Sequence, residues 1–214
     1  MKTKLEFVPT LIDAFAIGTK NIASLVLTVV FYVLTCWIPY LNVGTTIALA
    51  SLPGKLASGK VINPTYIFDA VYRKNMGNFF LLLGLELMIL FPAFLFGIVP
   101  GYVLSIAYSL ALYIMVDDGI TPMDALHSSY KATDGYKWKI FFLELAFGII
   151  SGILFLIISG IANLINVGFI TFVLYVLLIM VVLAASIALS AVIYRELWLK
   201  KDQVEEVSET AAEL

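Results

Sequence analysis

From Phe169 to Tyr194 the chain carries no charged residue. No other feature limits the fold so sharply. An uncharged apolar run of 18 or more residues is long enough, at about 1.5 Å per residue, to cross a hydrocarbon layer about 30 Å thick. Further apolar runs occupy residues 22–39, 79–99, 102–117 and 140–161, and a shorter one covers 41–53. Hydrophobic residues make up 62% of the 214-residue chain and charged residues 13%. A soluble domain carries about 25% charged residues. A chain of this length buries only about 70% of its surface when folded in water, so most of it is expected to meet lipid.

The segments between the runs carry the stop and start signals. Pro39, Pro53-Gly54 and Pro100-Gly101 interrupt apolar sequence, because proline removes a backbone donor and breaks a helix. Asn63-Pro64 and Thr121-Pro122 read as helix starts, with Asn or Thr as cap and Pro at the first helical position. Asp124 stands three residues after Thr121, as in a capping box. Gly77 and Gly135 read as stops. Amphipathic helices are thus expected at 9–18, 64–76 and 122–134. The segments Pro64–Gly77 and Pro122–Gly135 share their spacing, and each leads into a Phe pair, Phe79-Phe80 or Phe141-Phe142. They suggest a repeated unit of amphipathic helix, glycine, span, turn and span.

Charge sidedness fixes the expected topology. With six spans, all thirteen Lys and Arg fall on one side and the three hairpin turns carry no charge. Basic residues in short loops mark the cytoplasmic face. The expected fold is therefore all-α: a polytopic integral membrane protein with six transmembrane helices as three hairpins, linked by cytoplasmic amphipathic helices. Both termini would be cytoplasmic. Residues 1–201 form a single transmembrane domain with spans near 22–39, 41–53, 79–99, 102–117, 140–161 and 169–194, and 202–214 form an acidic flexible tail. No cleavable signal peptide is visible, so the first span should serve as the insertion signal.

The stretch between Val99 and Phe142 resembles a known pattern. It contains Val99-Pro100-Gly101, Tyr108-Ser109-Leu110-Ala111, Asp117-Asp118-Gly119, Asp124-Ala125-Leu126, Ser129-Tyr130 and Gly135. In this it is similar to uncharacterised bacterial multi-span proteins related to the membrane domain of glycerophosphoryl diester phosphodiesterases. The resemblance implies a fold and a plasma (bacterial inner) membrane location. In those phosphodiesterases a soluble catalytic domain follows the membrane domain. No such domain follows here within the sequence, so no hydrolase activity is expected.

Two acids interrupt apolar runs, Glu86 and Glu144. A carboxylate at the centre of a membrane helix costs about 2.5–3.5 kcal/mol on insertion scales and marks a functional site by default. Counted from the two Phe pairs they fall on equivalent faces. Together with Tyr108, Ser109 and Asp117 they form the candidate intramembrane polar site. The bland alternative is a hydrogen-bonded glutamate locking two helices together. Gly148 and Gly152, a GxxxG pair, are candidates for helix packing or an oligomer contact. Arg73, Lys74, Lys131, Lys137 and Lys139 flank the cytoplasmic interface and are candidates for lipid headgroup contact, at about 1 kcal/mol each. His127 alone cannot build a metal site, and Cys36 has no partner for a disulfide. No cofactor, no metal and no catalytic residues are read from the sequence. The near-neutral charge and the lack of basic clusters argue against nucleic acid. Two functions compete. One is a non-enzymatic membrane scaffold, assembly partner or oligomeric module, with the lipid bilayer and a homo-oligomer or membrane-protein partner around it. The other is an ion or small-solute channel or transporter using Glu86 and Glu144. A lipid-modifying enzyme ranks third, because no nucleophile–base pair is readable.

Overall fold

The computed structural model describes residues 5–57, 62–165 and 168–200, and the tail expected at 202–214 lies outside them. The described residues contain helices and no strand. Helix α1 spans Phe7–Thr35, α2 Pro39–Ala50 and α3 Leu52–Ala57. A 3₁₀ turn, Pro64–Phe68, precedes α4, Ala70–Lys74. Then follow α5 Met76–Phe96, α6 Ile98–Tyr108, α7 Ala111–Asp118, α8 Pro122–Thr133, α9 Lys137–Ile165 and α10 Gly168–Tyr194. A π-helical turn, Arg195–Leu199, extends α10. Five stretches are long and apolar enough to cross a membrane: Phe7–Thr35, Met76–Phe96, Ile98–Asp118, Lys137–Ala162 and Gly168–Leu199.

Several expected boundaries move. The helix expected at 9–18 is the first part of α1, because nothing between Pro9 and Thr35 breaks the hydrogen-bond ladder. The run 41–53 becomes α2 and α3, split at Ser51, and is not among the five long stretches. The amphipathic segment 64–76 divides at Asp69, whose side chain accepts from the Val71 amide at 3.1 Å and restarts the helix. Gly77 lies inside α5 rather than ending a helix. The hairpin expected at Pro100-Gly101 turns at Gly97, whose φ of 149° excludes side chains. Pro100 then occupies the first turn of α6, where it needs no donor. Gly101 packs under the Phe94 ring, in space that a Cβ would fill. Of the third turn, Asn166 lies outside the described residues, while α9 continues through Asn163 to Ile165. The 122–134 helix forms as expected: Thr121 accepts from the Asp124 amide at 3.3 Å, and Gly135 adopts φ 78° just past the end. The two segments proposed as repeats therefore differ locally, one split and one continuous.

Helix α10 is the centre of the packing, in contact with α1, α3 and α9. Ala184, Ala188 and Ala191 are buried along it. Such small residues let neighbouring backbones approach, which is how helices gain contact in lipid. Gly18 of α1 meets Ala188, where a Cβ would come within 3.4 Å. Helices α5 and α6 form a hairpin, and α8 packs back along α7, α6 and α5. The broken helix α2–α3 is enclosed: Gly44, Thr45, Ile47, Ala48, Ser51, Leu52 and Leu56 are all buried. Irregular backbone is tolerated at membrane depth where protein covers it. The 3₁₀ turn and α4 supply part of that cover. Tyr66 donates to the Ala48 carbonyl at 2.7 Å, and the Arg73 stem lies against Gly44. Burial pushes the Tyr72 phenol up to about 12 and the Tyr66 phenol still higher, so both remain hydrogen-bond donors.

The ends of the described chain meet. Arg195 pairs with Asp13 of α1, and Glu196 holds Arg195 at 3.1 Å and Lys200 at 2.7 Å. Trp198 donates to Asp118 at 3.1 Å, and Lys139 donates to the Leu5 carbonyl at 3.2 Å. The starts of α1 and α9 and the ends of α7 and α10 thus gather on one face.

Candidate functional site

Two helix breaks flank an open cleft in the bundle. One is at Ser51, between α2 and α3; the other is at Ser109-Leu110, between α6 and α7. A break inside a membrane domain leaves amides and carbonyls without partners unless another part of the chain supplies them. Ser129 of α8 does so at the second break. Its buried hydroxyl donates to the Ala107 carbonyl at 2.7 Å and accepts from the Leu110 amide at 3.2 Å. Thr133, one turn on, lies 3.4 Å from the same carbonyl.

Between these breaks lies a cavity of about 540 Å³. Glu86 of α5 lines it, with Ser105, Tyr108 and Ser109 from the α6 end, Tyr113 from α7, and Ser186 and Ser190 from α10. Leu49, Ala50 and Pro53 close it from the α2–α3 side, and Leu90, Leu112, Leu183 and Ile187 add aliphatic wall. Glu86 is half-buried and has no hydrogen-bond or ion-pair partner among the described residues. No Lys, Arg or His lines the cavity. Three of the serine protons are already used. Ser105 donates to Tyr102 at 2.9 Å, Ser109 to Ile106 at 2.9 Å, and Ser186 to Leu183 at 2.8 Å. Their oxygens keep lone pairs for a further donor, while Tyr108, Tyr113 and Ser190 add hydroxyls that can donate as well as accept.

Of the five residues expected to share a site, three do: Glu86, Tyr108 and Ser109. Glu144 does not line the cavity; the Tyr102 hydroxyl donates to its carboxylate at 2.6 Å, and Phe141 packs edge-on against the same ring at 5.5 Å. The equivalent faces counted from the Phe pairs do not meet one common site, because the two helices have different neighbours. Helix α5 packs on α6 and α8, whereas α9 packs mainly on α10. Asp117 stands at the exposed end of α7, against Gly54 of α3 and beside Lys55 and Tyr194. It belongs to the face where the chain ends meet. Ser105, Tyr113, Ser186 and Ser190 were not read as site residues. Serines in an apolar helix carry no signal of which neighbour they will face.

The basic residues divide. Arg73 donates to the Phe68 carbonyl at 3.4 Å, Lys137 sits 4.2 Å from the Tyr130 ring centre and 3.8 Å from Asp134, and Lys139 holds Leu5. Lys74 and Lys131 are exposed. A Cβ on Gly148 or Gly152 would meet nothing within 4 Å, so this GxxxG face of α9 is open rather than packed within the chain. His127 is exposed, and no group of potential metal ligands occurs among the described residues.

Fold and cavity together define a multi-pass helical membrane protein with an acidic, hydroxyl-lined chamber inside it. Comparison with protein-family models, curated proteins and solved structures finds no match to this chain.

Proposed function

We propose that this protein binds and moves a small cationic solute, or protons, through the chamber centred on Glu86. The observation that carries this reading is a carboxylate at membrane depth with open space and hydroxyl oxygens around it in place of a basic partner. A purely structural acid would be expected to end in a hydrogen bond, as Glu144 does. The proposed setting is a bacterial inner membrane with both termini cytoplasmic and six passages. Parity supports six. The Asp13–Arg195 pair brings the start of α1 and the end of α10 to one face, and a chain that enters and leaves on one face crosses an even number of times. Five long helices then need one return, and only residues 39–57 lie between α1 and α5 with enough apolar length to make it. The test is ion and proton flux in proteoliposomes. Flux should be present in the parent, lost in Glu86→Gln and kept in Glu144→Gln. Absence of flux in the parent, or equal flux in Glu86→Gln, overturns the reading.

A second reading is an assembly module. The open Gly148–Gly152 face of α9 supports it, since close approach of another helix there needs no rearrangement. Oligomer size in nanodiscs, compared between the parent and Gly148→Leu, separates the two.

A further inference from the structure

We infer that the Glu86 chamber takes an amphipathic organic ammonium ion, a protonated primary amine on a small apolar body, rather than a bare metal cation or a neutral polyol. The inference rests on the reading of the chamber as a binding site and adds the chemical class of its ligand. Charge sign comes first. Among the described residues Glu86 is the only charged one on the wall, so an anion meets a like charge and no cation there. Hydrogen-bond direction comes next. Ser105, Ser109 and Ser186 have each donated to a carbonyl of their own helix, so with Glu86 they present acceptors, beside the hydroxyls of Tyr108, Tyr113 and Ser190. An ammonium group has three donors and no acceptor, and so complements such a wall. Hydrogen bonds between ions and hydroxyls or carboxylates are also about twice as strong as neutral ones.

Size and wall chemistry exclude the simpler ligands. A metal cation stripped of water needs several oxygens converging at about 2.3–2.6 Å, as in calcium sites. Here about 540 Å³ of space separates the walls, and much of the lining is aliphatic, including Leu49, Pro53 and Ile187. That volume falls in the range of about 300–1,000 Å³ found for small-molecule sites. The aliphatic wall suits an apolar body. A polyol would leave the aliphatic side unmatched and would gain no charge pairing with Glu86.

The experiment uses the full chain in nanodiscs and isothermal titration with benzylammonium, benzyl alcohol and sodium ion. Benzylammonium should bind at least about tenfold more tightly than benzyl alcohol. Glu86→Gln should remove that preference, and Ser186→Ala should weaken benzylammonium by a few-fold with the melting temperature unchanged. Equal binding of amine and alcohol, or an amine affinity indifferent to Glu86→Gln, overturns the inference. So does the absence of amine binding. If flux in proteoliposomes persists while amine binding is absent, only the ligand class fails. If both are absent, the chamber reading fails with it.

Discussion

Ser129 and Leu110 are joined across two helices. The hydroxyl on α8 accepts the Leu110 amide at 3.2 Å, and through its own proton holds the Ala107 carbonyl at 2.7 Å. One side chain thereby closes both ends of the break that shapes the chamber. Ser129→Ala leaves the Leu110 amide without its partner and the Ala107 carbonyl with only the longer Thr133 contact, and an unmet buried polar group costs about 1–3 kcal/mol. Thermal unfolding in nanodiscs should show that loss. His127→Ala, on the exposed face of the same helix, should stay within about 0.5 kcal/mol. An unchanged transition in Ser129→Ala would mean that the break is satisfied in another way.

Tyr102 and Glu144 form a second lock, between α6 and α9 at 2.6 Å. Tyr102→Phe and Glu144→Leu should each destabilise the fold. Their double-mutant cycle should return a coupling of about 0.5–3 kcal/mol. Additive effects would show that the pair is not an energetic contact.

Two glycines should behave oppositely. Gly101→Leu drives a side chain into the Phe94 ring and should cost about 1–3 kcal/mol or prevent the α5–α6 hairpin from closing. Gly148→Leu projects into open space and should leave the monomer's transition where it is. Equal effects from the two substitutions would contradict the packing of both helices.

Asp13 and Arg195 sit on one face, so single cysteines at either position should react with an impermeant reagent from the same side of the membrane. Exchange of the two charges, Asp13→Arg with Arg195→Asp, should recover stability lost in either single variant. The pair is partly exposed, so the recovery should be no more than about 1 kcal/mol. Labelling from opposite sides would remove the parity on which six passages depend.

Much of the local structure was legible in the residues themselves. Apolar length located the long helices from Phe79, Ile140 and Phe169 onward. The Thr121 cap and the positive φ at Gly135 follow from short-range chemistry, which acts within a turn or two of chain. The same logic placed Glu86 within a long apolar helix. It misplaced the second hairpin turn at Pro100-Gly101, because proline at a helix start and proline at a turn look alike in sequence. Only the φ of Gly97 distinguishes them.

Partners were decided by the tertiary structure alone. Glu86 and Glu144 fall on equivalent helix faces one turn apart when counted from the Phe pairs, yet one faces a chamber and the other a tyrosine, because α5 and α9 pack against different helices. Ser129 stood in a recurring motif with no visible task until the α6–α7 break appeared beside it. The physical reason is the solvent. Lipid offers no hydrogen bonds, so the break at Ser109-Leu110 and the carboxylate of Glu144 each draw a partner from a distant stretch of the same chain. Hydrophobicity commits a segment to the membrane; packing chooses what its few polar atoms will touch.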